Sequence, residues 1–175
     1  MTEMSTDNTS VSKLKAMLRR KMLTGDELTR HVAELRGTND RLVAVVGGSM
    51  IDGALEGKLQ KLMIPLDSKS KYNAVFGHPG PLSSFSSKIV LAHALGLIDN
   101  NIRRNADYIR EIRNAFAHSI KPIRFATPEV AAVCRLLVFR AQTEAKLKRA
   151  GLRRRFLLAV VDTGQAIWGR GTLAK

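Results

Sequence analysis

The sequence predicts an all-α protein, a single helical bundle of about six or seven helices, and three observations carry that prediction. Apolar residues recur at three- and four-residue steps, as in Val11, Leu14, Leu18 and Met22, the spacing of a helix with one buried stripe. Sustained alternation of period two, the mark of a half-buried strand, is absent. Helix starts and breaks are also written into the chain, at Thr24-Gly25-Asp26-Glu27, at Gly77-His78-Pro79-Gly80-Pro81 and at Thr127-Pro128-Glu129.

Residues 1–10 are polar and aperiodic and are expected to be disordered, leaving 11–170 as one domain. Its first part, 11–36, reads as a helical hairpin. Lys13, Lys15, Arg19, Arg20 and Lys21 make the first helix basic, and Thr24 with Glu27 has the spacing of a capping box that opens the second. A long helix is expected over 40–63, with Leu42, Val45, Val46, Ile51, Leu55, Leu59, Leu62 and Met63 apolar. Gly47, Gly48, Gly53 and Gly57 interrupt it, each costing about 1 kcal/mol relative to alanine, so a close helix approach or a local break is required. They do not match GxGxxG, and no strand precedes them.

The prolines and glycines of 65–81 predict a loop that divides the chain into two helical halves. Helices over 82–97 and 103–118 then form a central hairpin, turned near Gly96. Thr127 as cap and Pro128 at the first helical position start a helix expected to reach about residue 148. The segment 152–167 completes the bundle as a helix, although Phe156 to Val161 alone also fits a short strand.

Composition narrows the function. A formal charge of +14 over 175 residues favours a polyanionic partner, whether RNA, DNA or an acidic protein. The single cysteine, Cys134, excludes an internal disulfide and sits in an apolar run as a buried inert thiol would, which suits a reducing compartment. With no leader-like N-terminus and no apolar run near membrane length, the expected location is cytoplasmic and no membrane partner is expected. His31, His78 and His93 share no ligand spacing with Cys134, so no metal and no cofactor is predicted. There is no Gly-x-Ser-x-Gly elbow, and Ser83-Ser84-Phe85-Ser86-Ser87 reads as a helix start rather than a nucleophile.

The residues best suited to chemistry lie near the end of the 103–118 helix. Asn114 and His118 are four apart and share a face that Arg110 extends one turn back, and Arg113 is about 100° round yet long enough to reach the same surface. A histidine whose ordinary pKa is about 6.5 can move protons near neutrality, and a guanidinium can clamp two phosphate oxygens. RNA carries its own nucleophile in the 2′-hydroxyl, so this set needs no metal.

The stretch Ile109-Arg110-Glu111-Ile112-Arg113-Asn114-Ala115-Phe116-Ala117-His118-Ser119 resembles the Arg-polar-x-x-x-His signature of HEPN domains. A wider stretch, from Gly80-Pro81-Leu82 through Leu95-Gly96-Leu97-Ile98 to His118, resembles the mannitol operon repressor (MltR) family in the order of its turns and helices. Together the resemblances span about residues 40–120. They imply a helical bundle, often dimeric, and in many HEPN domains a metal-independent endoribonuclease. Arg113 would then clamp phosphate, Asn114 would orient it or the substrate, and His118 would transfer protons, at a site shared across a homodimer. The basic terminal segments do not match the repressor family. The motif also admits a plain structural reading, in which His118 bonds the last carbonyls of its helix and Arg113 pairs with Glu111 or another acid.

The C-terminal run Lys146, Lys148, Arg149, Arg153, Arg154 and Arg155 reads as a patch that contacts nucleic-acid phosphates together with Arg110. Few aromatics interleave it, which suits backbone or shape reading over base reading. The N-terminal hairpin makes a poor helix-turn-helix, because Asp26, Glu27 and Glu34 on its second helix would repel phosphate. Three functional readings result: an RNA-binding, HEPN-like ribonuclease; a repressor-like regulatory module acting through protein contacts; and a non-specific DNA-binding protein.

Overall fold

The computed structural model describes residues 25–140 and 150–169. The helix expected within 11–23, the Thr24 cap and the N-terminal ten residues lie outside these. Among the described residues the chain forms seven α-helices and no strand: α1 (Gly25–Glu34), α2 (Asp40–Gln60), α3 (Lys69–Phe76), α4 (Phe85–Ala94), α5 (Asn100–His118), α6 (Pro128–Leu136) and α7 (Leu152–Gly169). A 3₁₀ turn over Leu35–Gly37 follows α1.

α2 is the axis of the bundle. The side chain of Asn39 accepts from the Leu42 amide at 2.8 Å and starts it, and Val43, Ala44, Ile51, Ala54, Leu55 and Leu59 are buried along it. The helix runs unbroken through its glycines, and neighbours lie against Gly47 and Gly48. A Cβ on Gly47 would stand 2.9 Å from the Phe156 ring, and one on Gly48 only 2.6 Å from the Arg113 Cβ. Close approach, rather than a break, is therefore what Gly47 and Gly48 provide.

These contacts fix the directions of the helices. Arg41 meets Ser119 while Gly48 meets Arg113, so α5 runs antiparallel to α2. Gly47 meets Phe156 and Val160 while Ile51 approaches Gly164, so α7 runs parallel to α2. Leu28 lies against Gly164 and the Leu35 carbonyl against Arg153, so α1 runs antiparallel to α7. The end of α1, the start of α2, the end of α5 and the start of α7 consequently share one end of the bundle. There Phe125, from the segment after α5, stacks between Phe116 and Phe156 with ring centroids 5.0 and 5.2 Å apart.

Several boundaries differ from those the sequence predicts, each through a particular contact. α3 occupies part of the expected loop: the Ser68 hydroxyl accepts from the Lys71 amide, and Tyr72 and Phe76 pair one turn apart on its inner side. α5 begins at Asn100, three residues early, because Asp99 caps the Ile102 amide at 2.9 Å. α6 stops at Leu136 rather than near 148. Asn105 takes both the amide and the carbonyl of Val138, at 3.0 and 2.7 Å, and draws the chain off the helical path. The Thr127 hydroxyl caps no helical amide but accepts from the Arg124 amide at 2.9 Å. The segment that also fitted a strand lies inside α7. No helix among the described residues is long and apolar enough to cross a membrane.

Candidate functional site

α5 is amphipathic, with Ile102, Asn105, Ala106, Ile109, Ile112 and Phe116 buried, so Arg110, Arg113, Asn114 and His118 fall on its remaining surface. Arg113 is the most constrained of them. Its aliphatic stem crosses Gly48, its Nη1 donates to Asn114 Oδ1 at 2.9 Å, and its Nε is buried with no hydrogen-bond partner. The neighbouring amide accepts from the guanidinium without neutralising it, so Arg113 keeps its charge and a donor in search of an acceptor.

Arg110 is placed differently. Its Nη2 lies 2.6 Å from Glu111 and its Nε 3.9 Å from Asp107, so two acids offset its charge. Glu111 thus belongs to Arg110, and Arg113 pairs with no carboxylate among the described residues. His118 is the last residue of α5 and is exposed, and its imidazole has no partner among the described residues. The helix end is closed without it: the Ser119 amide donates to the Ala115 carbonyl at 3.0 Å, and Arg41 Nη2 donates to the Ser119 carbonyl at 2.9 Å.

The described members of the C-terminal run, Arg153, Arg154 and Arg155, are placed differently from one another. Arg153 donates to the Leu35 and Thr38 carbonyls and pairs with Asp40 at 3.4 Å. Arg155 donates to the carbonyls of Cys134, Arg135 and Leu137, with its guanidinium 5.1 Å from the Phe139 ring centroid. Arg154 remains exposed, while Lys146, Lys148 and Arg149 lie outside the described residues. Two of the three described members of the run are therefore ties between helices.

Other cations take their place near His118. Arg41, Lys121 and Arg124 are exposed, stand on the two segments that meet at this corner, and pair with no carboxylate among the described residues. Asp40, at this junction, is occupied by Arg153 and by the Phe125 amide at 3.1 Å. Nothing in the local pattern of the sequence singles out these cations, because the Arg41 contact spans 78 residues.

A second cluster also escaped the sequence reading. Lys88 is buried with its Nζ 2.8 Å from Asp52 and 2.7 Å from Glu56, and Glu56 also accepts from the Tyr72 hydroxyl. It binds α4 and α3 to α2 and borders a cavity of about 220 Å³ lined by Glu56, Gln60, Asp67 and Tyr72. Cys134 is buried, and burial pushes its thiol up to about 12. The described residues contain no group of three or more His, Cys, Asp or Glu side chains placed to hold a metal.

The described fold and site define an all-helical protein with a guanidinium, an amide and an imidazole gathered at one helix end. No protein-family model, curated protein or solved structure matches the chain.

Proposed function

We propose that this chain is a HEPN-like RNA-binding protein that cleaves RNA without a metal, with Arg113, Asn114 and His118 at its site. The observation that carries the reading is the exposed His118 imidazole, unpartnered among the described residues, on the same helix end as an Arg113 guanidinium fixed by Asn114. In the reaction the 2′-oxygen forms a bond to phosphorus as the bond to the 5′-oxygen breaks. An imidazole takes the proton from the 2′-hydroxyl, and an imidazolium gives one to the departing 5′-oxygen. Arg113 stabilises the charge that builds on the phosphoryl oxygens. In a homodimer, the two proton transfers would be divided between the His118 residues of two copies.

The test is incubation of purified protein with a mixed RNA pool in EDTA, beside the His118→Ala variant. Cleavage by the parent but not the variant, with 2′,3′-cyclic phosphate ends, is the expected result; binding without cleavage by either would leave an RNA- or DNA-binding module. A second reading, a mannitol-repressor-like regulatory module that meets an acidic protein or a second copy, draws on one observation. Val90 and Leu91 of α4 line an apolar groove with Met63 and Val75, a surface that a protein partner would cover. Absence of any nucleic-acid binding would favour that reading.

A further inference from the structure

Arg41 stands on the first turn of α2, exposed, with one donor on the Ser119 carbonyl at 2.9 Å and no carboxylate partner among the described residues. Arg41 and Gly48 are seven residues apart, so they lie on nearly the same face of α2, about 10 Å apart along its axis. That face is the one α5 covers: Gly48 lies under the Arg113 stem, and Arg41 lies at the residue after His118. The seam between these antiparallel helices therefore has Arg113 partway along it and His118 and Arg41 at one end. A guanidinium has five N–H donors, so the bond to Ser119 leaves Arg41 most of its capacity to hold an anion. Asp40, its neighbour in the chain, is bound to Arg153 and to the Phe125 amide.

We propose that Arg41 is a further RNA-contacting residue, holding the phosphate next to the one that reacts. Gly48, under the Arg113 stem, stands about 10 Å along α2 from Arg41, so the two arginines are assigned to different phosphates of a single strand. The preferred substrate is then a single strand with at least one phosphate beyond the scissile one. This rests on the RNA-binding reading of the His118 site but does not depend on cleavage, because binding reports it separately.

The experiment measures binding of a labelled single-stranded oligoribonucleotide across a salt series for the parent, Arg41→Gln and Arg41→Lys, with melting curves for each. Loss of one phosphate contact lowers the slope of log affinity against log salt by about 0.7 for a single strand. For Arg41→Gln we expect that change, with affinity about tenfold weaker at moderate salt, and for Arg41→Lys a restored slope. An unchanged slope in Arg41→Gln, with weaker binding matched by a lower melting temperature, would overturn the proposal and leave Arg41 as a cap for α5.

Cleavage supplies the second arm. Arg41→Gln should slow cleavage of the oligoribonucleotide about tenfold more than cleavage of a dinucleoside monophosphate, which lacks the flanking phosphate. Equal slowing of both substrates would also overturn the proposal. Binding with the expected slope change but no cleavage by the parent would sink the ribonuclease reading while sustaining Arg41 as a contact. No binding by the parent would overturn both.

Discussion

Replacing Gly48 with alanine sets two opposed effects against each other, and the structure decides which prevails. An alanine in a helix interior is favoured over glycine by about 1 kcal/mol. At this position, however, the new methyl would sit 2.6 Å from the Cβ of Arg113 and 2.7 Å from its Cγ. Carbon atoms settle at about 3.5–4.0 Å, so about 1 Å of separation between α2 and α5 is needed. The obstructing atoms begin at the Cβ of a helical residue, so rotation of the Arg113 side chain cannot clear them. Separation would loosen the contacts of Ile109, Ile112 and Phe116, which are fully buried along α5. Overpacking of this kind typically costs about 1–3 kcal/mol, and strain here falls toward the upper part of that range, leaving a net loss of about 1–2 kcal/mol. For a protein of this size that lowers the Tm by about 2–8 °C. Thermal melting followed by far-ultraviolet circular dichroism reads it directly. Gly47→Ala serves as the companion: its obstacles are the Phe156 ring at 2.9 Å and a Val160 methyl at 3.2 Å, a longer approach than at Gly48, and its loss should be smaller. A Tm that rises in Gly48→Ala, as helix propensity alone requires, would refute the placement of the Arg113 stem and with it the geometry of the site.

Two further predictions concern buried groups. Lys88→Met would leave the Asp52 and Glu56 carboxylates facing each other without their shared cation. A loss of about 3–5 kcal/mol in urea unfolding is expected, and one below about 1 kcal/mol would mean that solvent already carries the ammonium. The Cys134 thiol, held up to about 12 from an ordinary value of 9.0, binds its proton more tightly in the folded than in the unfolded chain. Its contribution to stability is therefore complete below pH 9 and is lost as pH rises from about 9 toward about 12. Melting temperatures of the parent and Cys134→Ala across that range should converge at the alkaline end. Parallel curves would contradict the assignment.

The all-helical class and most helices were legible because their signals are local: a period of three to four residues, and proline and glycine between the helices. α3 was not, since its eight residues follow one proline and precede a Gly-Pro cluster that dominates the local reading. Nor was the end of α6, because what stops it is Asn105 on another helix and not any breaker in its own sequence. The same division holds at the site. Arg113, Asn114 and His118 lie on one helix, so their spacing alone groups them. Arg41 comes to them only through the pairing of α2 with α5. The runs of arginine near the C-terminus showed the converse: charge density suggested a ligand surface, whereas Arg153 and Arg155 point back at carbonyls up to 118 residues away.

Those two arginines have a consequence for how the molecule opens. They sit two residues apart on the first turn of α7, yet one holds the chain leaving α1 and the other the chain leaving α6. Fraying of that turn cannot be a local event, because it releases both ends together and exposes their carbonyls to water. Amide hydrogen exchange in these three sequence-distant segments is thereby joined into one cooperative unit, whose protection rises and falls as a block.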